Sequence, residues 1–238
     1  MTRSGDNVFR TQALWPVPGA STVSSGEKAR SAWRHAIRFL DVVIASLALI
    51  LLAPVLAVIA GLVCATSPGP ALFRQVRVGY LGARFVMLKF RTMYDDNDDT
   101  PHRAYVSRML TVQEQLDSCP GGLFKLERDP RITRLGGFLR RSSLDELPQL
   151  FNVLRGEMSL IGPRPALPWE VKLYKPYHYF RFRVKPGMTG LWQVSGRSRL
   201  TMSEALDLDV QYVQSWSPGL DLWILVMTLP ALLRGEAR

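Results

Sequence analysis

From Val42 to Ala65 the chain carries no charge, a stretch longer than the roughly 20 residues that suffice to cross a hydrocarbon core. Such a segment has to cross a bilayer, dip into one or be buried. Pro54 falls in mid-run, where a proline removes a helix hydrogen bond and bends the axis. Basic residues flank both ends: Lys28, Arg30, Arg34 and Arg38 before the run, Arg74, Arg77, Arg84 and Lys89 after it. Short basic flanks stay on the cytoplasmic side, and a single crossing cannot leave both there. A re-entrant helical hairpin bent at Pro54, entering and leaving by one face, satisfies both flanks. On length alone a straight span is the simpler alternative.

The 238 residues suffice for one sizeable core beside a membrane element. A net charge of +10 and a pI near 10.1 favour polyanionic partners: nucleic acid, anionic lipid or phosphorylated metabolites. Cys64 lies in the apolar run and Cys119 in a polar stretch, so no disulfide framework is expected. Neither has a CxxC or Cys/His setting, and no zinc site is expected. Residues 1–26 read as a disordered tail; no apolar h-region follows their basic residues, so they do not form a secretory signal. Residues 27–66 read as a basic helix and the membrane helix, and 67–238 as a cytoplasmic body.

Past Ser67-Pro68-Gly69-Pro70 the pattern changes. Ala71 to Val78 and Arg84 to Phe90 are short β-type runs joined by Gly79-Tyr80-Leu81-Gly82, which predicts a hairpin. Asp95, Asp96, Asp98 and Asp99 lack EF-hand spacing and read as a solvated loop. A helix-containing insertion is expected up to Gly122. The class this implies is α+β, mainly helical.

Asp145 and Glu146 then stand in an arginine-rich stretch, followed by Leu147, Leu150, Phe151 and Leu154 at helical spacing, which predicts four core-facing residues. Pro148 belongs in a helix's first turn, so the helix is expected to start near the two acids. Two readings of the pair stand. Ser143 and Glu146 form a Ser-x-x-Glu capping box at the positive end of a helix. Alternatively, Arg140, Arg141, Arg155 and the proline-framed Arg164 make a phosphate site, with a carboxylate as nucleophile or metal ligand.

Four blocks also carry a family resemblance: Lys89-Phe90-Arg91-Thr92-Met93, Ser143 through Leu150, Gly162-Pro163-Arg164-Pro165, and Lys185 through Arg197. In order and spacing they resemble the bacterial sugar transferases, the monotopic polyprenyl-phosphate hexose-1-phosphate transferases of the short form. The resemblance implies a UDP-sugar donor, galactose or glucose being the family's usual hexoses, an undecaprenyl phosphate acceptor and Mg²⁺. It implies that Asp145 is the nucleophile and Glu146 the residue that helps to hold the metal. Lys89, Arg140 and Arg164 fall where the family places phosphate-binding cations. It also places the protein at the cytoplasmic face of a bacterial inner membrane. One departure is visible. Many members carry Ser-Pro at the membrane bend, where this chain has Ala53-Pro54, so the bend rests on Pro54 alone or on another donor such as Ser46.

Trp169, Tyr174, Tyr177, Tyr179, Phe180 and Phe182 alternate with Lys172, Lys175, Arg181 and Arg183. Beside an apolar hairpin this pattern reads as interfacial anchoring to membrane lipid rather than binding of single-stranded nucleic acid. Leu220 to Leu233 is too apolar for an exposed helix, yet Asp221 and Pro230 argue against a span, so it should pack on the body or lie in the interface. His35, His102 and His178 are scattered and read as exposed or capping residues. A non-enzymatic, basic, membrane-anchored binding module would explain the charge and the anchor. It gives no reason for fixed arginines around paired acids.

Overall fold

The computed structural model describes residues 26–94, 131–196 and 200–233. Most of the expected tail, the Asp95–Asp99 cluster, the insertion up to Gly122, His102, Cys119 and Arg197 lie outside them. The basic segment and the apolar run form one helix, α1 (Gly26–Thr66), unbroken at Pro54. Its stretch His35–Thr66 is long and apolar enough to cross a membrane by length and composition.

Two strands follow, β1 (Leu72–Val78) and β2 (Arg84–Phe90), antiparallel and in register from Leu72↔Phe90 to Val78↔Arg84. The hairpin is the one the alternation and the two glycines predict. Next come α2 (Arg134–Arg141), a 3₁₀ turn over Leu144–Glu146, and α3 (Gln149–Arg155). A short parallel pair then forms between β3 (Ser159–Ile161) and β4 (Gly187–Thr189). Their backbones run so close that a Cβ on Gly187 would sit 2.1 Å from the Gly162 nitrogen, so no larger residue fits there without a shift. Three helices end the described chain: α4 (Leu191–Ser195), α5 (Met202–Ser215) and α6 (Pro218–Leu233).

Both halves of α1 are tied to this body. Before Pro54, Ala45 packs with Phe85, Met87, Leu150, Val153 and Met158. There too, Arg38 donates to the carbonyls of Val153 and Leu154 at 2.5 and 2.8 Å, capping the C-terminus of α3. Asp41 accepts from the Ser159 hydroxyl and the Leu160 amide at 2.8 and 3.0 Å. After Pro54, Ile59 and Val63 pack on Phe90 and Leu139. Arg91, on the strand side, donates to the carbonyls of Ser67 and Pro68 just past the helix end, at 2.7 and 2.6 Å. Between the two anchor regions Ile50 and Leu51 are 72% and 74% exposed, an apolar bulge that water does not favour.

The aromatic and basic segment 169–183 corrects the interfacial reading. It folds into 3₁₀ turns over Glu170–Leu173 and Pro176–Arg183, and Tyr174 and Phe182 are buried in a core with Val78, Ala166, Val171, Met202 and Leu206. Arg181 is buried with them, and of the aromatic and basic residues in this segment only Lys172, Lys175 and Tyr177 stay exposed. His178 is buried rather than exposed; its Nδ1 accepts from the Lys175 amide, a cap, and Nε2 meets Asp207. Helix α6 does what its composition forces. Ile224 is buried against Leu191 and Tyr212, while Leu222, Trp223, Leu225, Val226 and Leu229 are exposed.

Candidate functional site

The acidic pair does not open a helix. Asp145 and Glu146 occupy the separate 3₁₀ turn, and α3 begins only after Pro148. The capping-box reading fails for a local reason. Ser143 takes a left-handed conformation, φ 56° and ψ 15°, and its side chain caps nothing. For a residue with a Cβ this costs roughly 1 kcal/mol or more. The Glu146 carboxylate does not reach back to Ser143. It forms a 2.7 Å ion pair with Lys89 Nζ, near the end of β2. Consecutive residues of a 3₁₀ turn point about 120° apart, and the two acids differ accordingly. Asp145 is buried, whereas the Glu146 side chain is 38% exposed.

Position follows from packing. Asn152, fully buried on α3, accepts from the Leu88 amide at 3.0 Å and donates to the Val86 carbonyl at 2.7 Å. Its amide acts as an added strand residue and fixes α3, with the preceding acidic turn, against the strand that carries Lys89. Of the apolar quartet expected in the core, Leu150 is buried, Leu147 and Leu154 are half-buried, and Phe151 is exposed. The buried face is that of Gln149, Leu150, Asn152 and Val153. On the other side, Thr133 caps α2 by accepting from the Gly136 amide at 2.8 Å. Arg140, in the last turn of α2, donates through Nε to Thr92 Oγ1 at 2.9 Å. Arg141 and Arg155 are exposed.

Arg164 sits in the loop after β3. That loop is drawn onto the hairpin by a bridge between Val78 and Ala166. The residue that holds this loop to the hairpin is Arg77, which the flanking-charge argument treats only as a basic flank. Arg77 is buried, donates to the Pro165 carbonyl at 3.0 Å and to Gln75 Oε1 at 2.6 Å. Burial and then Arg164 push its guanidinium down to about 10, against the charges of Glu170, Tyr174 and Glu146. No local signal marks it, because its role depends on a loop 88 positions away.

A second feature is also invisible locally. Arg181 and Asp209, each 3% exposed in its side chain, form a buried ion pair at 2.5 Å beneath Arg164. Arg181 also donates to the Arg164 carbonyl at 2.6 Å.

The structure thus pairs Lys89 with Glu146, next to Asp145, toward the open end of the hairpin, anchors Arg140 on Thr92, and holds the Arg164 loop on Arg77 and Val78 at the turn end. Pro54 lies apart, in the membrane-type helix. A buried carboxylate beside a glutamate–lysine ion pair suits chemistry on a phosphate, where cations offset the repulsion between two anions.

Comparison with known proteins agrees in type. The family described as bacterial sugar transferase matches residues 32–235. An exopolysaccharide production protein, ExoY of Sinorhizobium fredii, is 42% identical over 235 residues, covering 97% of this chain and 95% of that protein. A UDP-glucose:undecaprenyl-phosphate glucose-1-phosphate transferase of Caulobacter vibrioides is 42% identical over 82% of this chain and 69% of its own length. An undecaprenyl-phosphate galactose phosphotransferase of Salmonella typhimurium is 41% identical over 71% of this chain, which spans 34% of that longer protein. With the match extending from within α1 to the end of α6, the chain belongs to the bacterial sugar transferase family.

Proposed function

We propose that this protein transfers a sugar 1-phosphate, glucose or galactose, from a UDP-sugar to undecaprenyl phosphate and releases UMP. An Asp145 oxygen attacks the sugar-bearing phosphorus. The bond from that phosphorus to the bridging oxygen breaks, and UMP leaves with the electron pair. A phosphate oxygen of the lipid then attacks the same phosphorus and frees Asp145, giving the undecaprenyl diphosphate sugar. Arg140, Arg164 and Lys89 bind phosphate oxygens. The observation that supports this most is the division of the acidic pair: Glu146 faces Lys89 while Asp145 stays buried beside it.

The donor set fits Mg²⁺, which binds proteins through one or two carboxylates and completes its shell with water and substrate phosphates. Glu146 would hold the ion, with the diphosphate supplying further oxygens, and a bound ion would neutralise charge on the leaving phosphate. No group of three or more metal-ligating side chains occurs among the described residues.

The anchor belongs to the same reading. The body holds α1 on both sides of Pro54, through Arg38 and Asp41 before it and through Val63 and Arg91 after it. A helix crossing a bilayer could keep both attachments only by drawing a charged body through the lipid. A re-entrant helix on the cytoplasmic face of the inner membrane, with the exposed side of α6 in the interface, avoids that cost. Product of this kind starts a membrane-assembled glycan such as an exopolysaccharide.

The test is a single-turnover one. Protein mixed with UDP-glucose or UDP-galactose, without lipid acceptor, should release about one equivalent of UMP per active site as a burst. Mass spectrometry should then find a hexose-phosphate adduct on the peptide containing Asp145, and none in Asp145→Asn. UMP release that strictly requires the lipid, or an adduct on Glu146, would overturn the assignment.

A further inference from the structure

We propose that Arg181 and Asp209 are positioning residues for Arg164: Arg181, itself held by the buried Asp209 carboxylate, grips the Arg164 carbonyl and thereby aims its guanidinium. The inference rests on Arg164 being a phosphate-binding arginine.

The loop Gly162–Ala166 is pinned along its length. Gly162 N donates to Thr189 O at 2.9 Å, and Gly187 N donates to Pro163 O at 2.9 Å. Arg181 Nη2 donates to the Arg164 carbonyl at 2.6 Å and to Asp209 Oδ2. Arg77 holds the Pro165 carbonyl, and Ala166 exchanges both backbone bonds with Val78, at 3.2 and 2.8 Å. Pro163 and Pro165 have no N–H to satisfy and restrict φ. The N–H groups of Gly162 and Ala166 are engaged, and so is each carbonyl from 163 to 166.

Only a guanidinium can make the Arg181 end of the clamp. Nη1 donates to the Tyr174 hydroxyl at 2.7 Å while Nη2 serves both Arg164 O and Asp209 Oδ2. These acceptors lie around a planar fork, which a lysine ammonium cannot match. Stability alone does not explain the pair. Desolvating two charges cancels much of their attraction, and well-packed apolar side chains usually serve as well or better. The neighbours Val171, Phe182 and Leu206 already form such a cluster. Direction is what the pair supplies that an apolar filling would not.

Displacement of a positioned group by about 1 Å can cost on the order of 10²-fold in rate. Arg181→Lys and Asp209→Asn should therefore each lower kcat/KM for UDP-sugar about 10- to 100-fold, chiefly through kcat, with the thermal midpoint in detergent lowered far less than activity. The deciding readout is a double-mutant cycle. In an Arg164→Lys background the same substitutions should cost little more, because the group they aim is already gone. Losses that multiply with Arg164→Lys, or wild-type kcat in both single variants, would overturn the proposal. Should Asp209→Asn not fold, Tyr174→Phe removes only the outer support of Arg181 and should give a smaller loss, again absent in the Arg164→Lys background. If Arg164→Lys alone turns over like wild type, the phosphate role of Arg164 falls. If it is impaired while the clamp variants are normal, only the positioning role falls.

Discussion

Lys89 Nζ lies 2.7 Å from Glu146 Oε1, joining the end of the hairpin to the acidic turn across 57 positions of sequence. The pair is partly exposed, 25% and 38% at the two side chains. Such pairs contribute roughly 0–1 kcal/mol to stability. Under the proposed function, its value lies in holding charge where a phosphate arrives.

Lys89→Met should therefore separate stability from catalysis. The thermal midpoint should stay within a few degrees of wild type, since less than about 1 kcal/mol is at stake. UMP release should fall on the order of 10²-fold, the scale of one lost electrostatic contact in a transition state. A large drop in melting temperature that tracks the lost activity would make Lys89 a structural residue instead.

Topology can be read with two single cysteines, replacing Trp33 and Tyr80, in a protein whose Cys64 and Cys119 are serine. Both positions are exposed, at 49% and 40%. With a re-entrant α1, an impermeant maleimide should reach neither in intact cells and both once the inner membrane is opened. Pro54→Ala restores a backbone hydrogen bond to the helix, and should let a fraction of molecules expose position 33 to the periplasm. Periplasmic labelling of the wild-type helix would establish a straight crossing.

Burial raises the Asp209 carboxyl from 3.8 to about 6, although Arg181 and Arg164 pull it back. The folded state then binds this proton more tightly than the unfolded chain. Its stabilising effect is complete below about pH 4 and lost as pH rises through about 6. Other acids titrate equally in both proteins, so the difference in unfolding midpoint between wild type and Asp209→Asn isolates it. Wild type should gain on the variant as pH falls from 7 to 4. A gain in the opposite direction would mean that the Arg181 attraction outweighs desolvation.

How much was legible depended on the range over which each signal acts. The hairpin and α1 were readable because alternation and an apolar run are local. The residues from Lys89 to Arg164 could be nominated by motif, but not their partners. The Ser143 capping box failed because a single left-handed residue reverses the chain, and nothing in Ser-x-x-Glu announces φ. Tyr174 and Phe182 looked interfacial because aromatic and basic alternation has the same composition on a surface and around a core. Only the approach of α5 decides between them. Arg181 read only as a basic residue of that alternation and Asp209 not at all, because a pair 28 positions apart has no sequence pattern.

Gly136 offers a last test of how tightly α2 is set against the site. A Cβ there would stand 2.1 Å from the Thr92 carbonyl oxygen and 2.8 Å from Thr133 Oγ1. The first is backbone, so the helix itself must move. Thr92 is also the residue that receives the Arg140 Nε hydrogen bond. Gly136→Ala should therefore lower both stability, by roughly 1–3 kcal/mol as overpacking does, and turnover, as Arg140 loses its support. Gly137→Ala is the control, because the nearest atoms to its added Cβ are 4.0 Å away. Inside a helix that change should be neutral or stabilise by about 0.5–1 kcal/mol. Thermal melts and initial UMP release rates on the two variants would decide the matter. Equal behaviour of Gly136→Ala and Gly137→Ala would mean that α2 can move off Thr92 without consequence, and that Arg140 does not depend on this packing.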